Sequence, residues 1–236
     1  MSEPTELADQ LVAAIHSGDV IGLRQLLADH PGLASAPLGG RYKSRAPLHV
    51  VSDWPGYFPN GPEIVGLLVE AGADPNARQH GEETPLHWAA SSDDWHVAAA
   101  LIDAGADVNA LDGSIGTPLA NAVGYGCWDV ARLLVARGAR VDQPWIAASL
   151  GLLDQLARLL GDNPSSEQVS QAFWHACAGG QRRAAEYLLG RAADLDWVPD
   201  YAKGTPLDAA TGKGTQRENL IRWLRAHDAH RVESDS

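Results

Sequence analysis

Apolar residues recur along this 236-residue chain in short runs with helical spacing. In TPLHWAA (84–90), Leu86, Ala89 and Ala90 fall on one face of a helix. In the segment that follows, Val97, Leu101 and Ile102 keep the i, i+4, i+5 spacing of a buried stripe. Thr84-Pro85 suits a helix start, because proline at the first helical position gives up no intrahelical hydrogen bond. Gly105 suits a helix stop, where the residue past the last turn commonly takes a positive φ. The pattern predicts two short helices joined by a tight loop.

The pair recurs. APLHVV (46–51), TPLHWAA (84–90), TPLANAV (117–123) and TPLDAAT (205–211) are versions of one phrase. AGADPNA (71–77) and AGADVNA (104–110) are versions of a second, with RGARVD (137–142) and RAADLD (191–196) looser. Thirty-three residues separate Pro85 from Pro118, Gly72 from Gly105, and Gly105 from Gly138. A fixed period of this size is the signature of a stacked repeat array. At TPLHWAA…LIDAGADVNA the chain resembles the ankyrin repeat family, and the resemblance runs over nearly the whole sequence. It implies an all-α solenoid of about seven helix–loop–helix units with short β-turn fingers, in which fingers and inner helices form a concave face. Aligned on the glycine between the helices, a single domain is expected over 5–229. It comprises a cap at 5–35, repeats at 46–77, 84–110, 117–142, 143–163 and 168–197, and a C-terminal cap at 205–229. The ends, 1–4 and 230–236, are expected to be flexible. Leu48, Leu86, Leu119, Phe173 and Leu207 are the equivalent core positions, and the last helix, NLIRWLRAHD, carries charge outward as a terminal cap must.

Three departures break the period. Pro47 to Pro85 is 38 residues, and the five extra fall in SDWPGYFPNG (52–61). Pro55 and Pro59 stiffen that insertion, so Trp54, Tyr57 and Phe58 are expected to pack back on the stack or on a ligand. A lid over the core edge and a pocket rim both fit. Gly126 to Gly151 is only 25 residues, which predicts a missing finger around Val141–Trp145, with Trp145 packed inward. Asp93-Asp94 stands where the family usually has Gly-His.

In the family, the residue after the PLH histidine looks onto the concave face, which here selects Ala13, Val50, Trp88, Asn121, Ile146, His175 and Ala209. Two clusters of candidate binding residues follow. The front one comprises Asp53, Trp54, Trp88, Ser91, Ser92, Asp93, Asn121 and Tyr125. The rear one comprises Trp174, His175, Trp197, Asp200 and Tyr201. Trp88 and His175 stand three repeats apart, roughly 25–30 Å at ordinary helix spacing, so the clusters are expected to be separate sites. Carboxylates beside indoles suit a cation, with each cation–π contact contributing ~0.5–2 kcal/mol. Arg41, Lys43 and Arg45 form either a solvated finger or a small anion-contacting edge. The resemblance implies a structural, hydrogen-bonding role for His49 and His87. Helical spacing alone also allows His49 and Asp53 to act as base and orienter.

Composition narrows the partners. A net charge of −12 with pI near 5.0 disfavours nucleic acid and anionic membrane surfaces. No run approaches the ~20 apolar residues of a membrane helix, and the acidic start MSEPTELADQ lacks a leader's basic and apolar segments. Cys127 and Cys177 make neither a disulfide framework nor a paired metal motif, so a reduced, cytoplasmic setting is expected, with no metal site and no cofactor. ATGKGT (210–215) is no phosphate loop, because Leu207 and Gly214 stand where glycine and Ser or Thr are needed. Eight tryptophans against two phenylalanines put some indoles on a binding surface. The expected function is binding of a protein, a peptide or a small, possibly cationic ligand through the concave face. The alternative is an enzyme with Asp53 or Asp93 as acid or base and Trp88 as substrate platform.

Overall fold

A computed structural model describes residues 3–38, 45–78, 83–212 and 217–232. Among these residues there are fourteen α-helices in seven consecutive pairs, and no strand. The chain divides into two compact units, Met1–Arg140 and Val141–Ser236. The division falls where the sequence is eight residues short of its period.

In the first unit the pairs are α1 (Glu3–Ser17) with α2 (Val20–Asp29), α3 (Pro47–Ser52) with α4 (Gly61–Glu70), α5 (Pro85–Ser92) with α6 (Trp95–Asp103), and α7 (Pro118–Tyr125) with α8 (Trp128–Ala136). The first helices pack in the row α1, α3, α5, α7, and the second helices in the row α2, α4, α6, α8. In the second unit they are α9 (Pro144–Ser149) with α10 (Leu153–Leu160), α11 (Ser166–Ala178) with α12 (Arg182–Leu189), and α13 (Pro206–Ala210) with α14 (Glu218–Arg225). There α11 packs on both α9 and α13.

The repeated phrases account for these pairs residue by residue. Pro47, Pro85, Pro118, Pro144 and Pro206 each open a helix. Leu48, Leu86 and Leu119 in the first unit, and Phe173 and Leu207 in the second, are buried as expected. The PLH histidines tie one repeat to the next. Nδ1 of His49 accepts the N–H of Ala46 at 3.2 Å, and Nδ1 of His87 that of Thr84 at 3.1 Å. Their Nε2 atoms then donate to the carbonyls of Glu83 and Gly116, each at 3.1 Å. Both ring nitrogens are committed, and burial lowers both pKa values. The base-and-orienter reading of His49 and Asp53 is therefore corrected: Asp53 pairs with Arg45 instead, at 2.8 Å.

The second phrase stitches the loops. Asp74 Oδ1 accepts the N–H of Asn76, and the Asn76 side chain bridges to the next repeat, donating to Gly105 O and accepting from the N–H of Asp107. Asn109 Oδ1 likewise accepts the N–H of Arg140 at 2.8 Å. Residues 39–44 and 79–82, with Arg41 and Lys43 among them, lie outside the described residues, as do 213–216.

Three expectations about the chain's course change. Helix α1 already begins at Glu3, inside the segment expected to be flexible. At the other end, residues 230–232 are fastened down. The N–H groups of His230 and Val232 donate to Asp196 and Asp208, and Thr205 Oγ1 donates to His230 O. Segment 141–143 runs into α9 with no hairpin turn, as the short spacing predicts. Trp145, however, is only half-buried, with its ring 4.7 Å from that of His175.

Candidate functional site

The insertion is held from both sides within the first unit. On one side, Phe58 stacks on His16 with ring centroids 4.5 Å apart, and Asn60 Nδ2 donates to Gly18 O at 2.9 Å. Gly18 must be glycine, because a Cβ there would lie 2.6 Å from Pro59. On the other side, Tyr57 gives its N–H to the Asp94 carboxylate and its hydroxyl to Asp93 O. The insertion thus braces the second pair against the first and third. Phe58 packs back as expected, whereas Tyr57 stays 55% exposed and is held by its two hydrogen bonds. Trp54 does not pack back: it is 78% exposed, and no described contact anchors its ring.

Trp54 forms one wall of an open cleft of about 240 Å³. The other lining residues are Asp53, Glu83, Trp88, Ser91, Ser92, Ser114 and Tyr125. Asp53 ends α3, Trp88 and Ser91 lie on α5, Tyr125 ends α7, and Glu83 precedes the Thr84-Pro85 helix start. Three successive first helices therefore supply the site. Trp88 is half-buried, in edge contact with His49 at 5.1 Å. The guanidinium of Arg45 lies 5.3 Å from the Trp88 ring centre while it pairs with Asp53. The carboxylate-and-indole combination expected to hold a cation thus already holds one belonging to the chain.

Glu83 is the functional candidate that sequence reasoning missed. Its Oε1 accepts the N–H of Ser114 at 2.7 Å and Nδ2 of Asn121 at 3.1 Å. Burial pushes its pKa up, but these hydrogen bonds outweigh it and hold the carboxyl below its usual range. Asn121 sits underneath. Fully buried, it accepts from the N–H of Ile115 and reaches Ser91 Oγ at 3.5 Å. It bonds Glu83 from within the core and is not among the residues that line the cleft. Ser114 Oγ lies 3.3 Å from the Tyr125 hydroxyl, and Tyr125 is 54% exposed at the rim.

Asp93 is not brought into the cleft. It ends α5 at φ +58, and its Oδ1 accepts the N–H of Val130 in the first turn of α8 at 3.1 Å. Burial pushes its pKa up. Asp94 caps α6 through the N–H of Val97. The Asp-Asp pair that replaces Gly-His is therefore used for capping, and the two carboxylates named for acid–base work, Asp53 and Asp93, do not share the cleft.

In the second unit His175 is 5% exposed and gathers aromatic neighbours. Trp145 and Trp174 lie 4.7 and 5.0 Å from its ring, and its Nε2 is 3.1 Å from the Tyr201 hydroxyl. Its Nδ1 is buried with no hydrogen-bond partner, and burial drops its pKa to about 4. Trp174 Nε1 donates to Gly204 O at 2.8 Å. No described contact brings Trp197 or Asp200 to the His175 ring, and Trp145 stands in the cluster where the sequence did not place it. Both cysteines are buried, the Cys127 thiol pushed up to about 11 and Cys177 higher still. Among the described residues no group of His, Cys, Asp and Glu is arranged to hold a metal ion, and no helix is long and apolar enough to cross a membrane.

Comparison with known proteins agrees with the repeated phrases. Residues 48–144 match the family model of ankyrin repeats in three copies. The chain is 36% identical over 89 residues to the E3 ubiquitin-protein ligase XBAT33 of Arabidopsis thaliana, a stretch that covers 38% of this chain and 16% of that protein. Residues 48–144 are thus similar to ankyrin repeats, and the paired helices and PLH histidines found there agree with that match.

Proposed function

We propose that the protein is a binding module that engages a protein or peptide partner through the inner-helix side of its first unit. The observation that carries this reading is the cleft, with Trp54 and Tyr125 exposed at its rim and Trp88 between them. Tryptophan and tyrosine dominate binding hot spots because they offer large rigid area and a polar edge at low entropic cost. Ankyrin repeats generally serve protein–protein interaction, which supports a macromolecular partner. The braces on either side of the insertion hold the backbone that carries Trp54 without covering its ring, so little loop-ordering cost remains for binding.

The test is retention of a host protein on the immobilised chain, compared between the wild type and two variants. Trp54→Ala combined with Tyr125→Ala is expected to lose at least tenfold in affinity for a partner that the wild type retains. Arg132→Ala, on the exposed surface of α8, is expected to lose nothing. Equal retention by all the variants contradicts the reading.

A further inference from the structure

We propose that the cleft of the first unit takes the cationic side chain, arginine or lysine, of a basic peptide segment, seated against Glu83 and flanked by the rings of Trp54 and Tyr125. This rests on the partner-binding reading and names the chemistry of the partner.

Three observations carry it. The first is a carboxylate with no ion-pair partner among the described residues. Glu83 lines the cleft, and its charge is held by the Ser114 N–H and the Asn121 amide, both bonding Oε1. Among the described residues no lysine, arginine or histidine forms an ion pair with it. A part-buried carboxylate kept ionised by neutral donors attracts a cation more strongly than one in open water.

The second is the neighbouring wall. Arg45 there pairs with Asp53 and lies against Trp88. The same two-part recognition, a carboxylate plus a ring face, is thus already built for a guanidinium of this chain. Glu83 lines the same cleft as the exposed rings of Trp54 and Tyr125, and among the described residues no guanidinium pairs with it.

The third is charge and size. Of the two carboxylates in the lining, Asp53 is already paired with Arg45, which leaves Glu83 for a partner's cation, and the whole chain carries −12, which draws basic segments to its surface. At about 240 Å³ the cleft is smaller than the range usual for drug-sized ligands. It suits one long side chain, presented by a segment whose backbone runs outside.

The probes are three blocked tripeptides, acetyl-Gly-Arg-Gly-amide and its lysine and glutamate counterparts. They are titrated into the ¹⁵N-labelled full-length chain, with the indole N–H signals of Trp54 and Trp88 followed by NMR. Trp54→Phe and Trp88→Phe assign those signals. The arginine and lysine tripeptides are expected to shift them saturably, and the glutamate tripeptide to leave them in place. In Glu83→Gln, whose amide oxygen still accepts from Ser114 and Asn121, binding is expected to weaken roughly tenfold. Should that variant not fold, the wild type decides by salt, because binding must weaken as ionic strength rises from about 0.05 to about 0.3 M. No shift with the basic tripeptides, an equal shift with the glutamate one, unchanged affinity in Glu83→Gln, or salt-independent binding overturns the proposal. A partner that is lost with Trp54 and Tyr125 but is indifferent to Glu83→Gln would sink the cation and leave the partner-binding reading standing.

Discussion

His175 shows what a single residue contributes here. Surrounded by Trp145, Trp174 and Tyr201, it keeps a folded pKa near 4, whereas an unfolded chain titrates it near 6.5. The unfolded state therefore takes the proton first, and stability that is complete above pH 6.5 is lost as pH falls toward 4. At about 1.4 kcal/mol per unit, His175 alone should cost the wild type roughly 2 kcal/mol between pH 7 and pH 5. His49 and His87, also lowered, act in the same direction. In His175→Phe, thermal unfolding at the two pH values should differ by about that much less. An unchanged difference would mean that the imidazole takes its proton as readily in the fold as in the unfolded chain. The histidines of the PLH phrase were legible because the phrase repeats. Glu83 was not, although one alignment could have found it. Arg45, Glu83, Gly116 and Gly204 all precede the opening of the phrase, and only the first two are charged. What marks Glu83 as a site is its hydrogen bonding to Ser114 and Asn121, 31 and 38 residues away. No local pattern carries that.

At the scale of elements, the insertion between α3 and α4 acts as a brace whose anchors lie in other repeats. Its excess of five residues was plain from the period, and its prolines indicated stiffness. Where it would be fastened depended on which surfaces α1 and α5 present: Phe58 stacks on His16, Tyr57 bonds Asp93 and Asp94, and Trp54 faces outward. Asp93 was misjudged for a related reason, since the N–H it bonds lies on α8, a full repeat further on. If the brace holds Trp54 in place, then Asn60→Gly should matter. It removes the bond to Gly18 O while keeping the left-handed backbone of Asn60 at φ +57 accessible. A loss of about 0.5–1.5 kcal/mol is expected, with faster amide exchange across 54–60 and unchanged exchange in α5. Uniform acceleration through the unit would show that the insertion is simply part of the core.

Across the whole molecule, the sequence carried the helix pairs, their core positions and the break in the middle of the chain, because each is repeated or is a visible failure of repetition. In the proposed reading, the charge of −12 and the Glu83 carboxylate of the cleft act together on a partner, the first over distance and the second on contact. The central claim is that partners meet the inner-helix side of the first unit. Amide hydrogen exchange, measured with and without a captured partner, tests it most directly. Protection is predicted in 53–58, 88–92 and 114–125, with the second helices α4, α6 and α8 and residues 141–232 unaltered. Protection confined to those second helices or to 141–232, with the cleft segments exchanging as in the free chain, would contradict it.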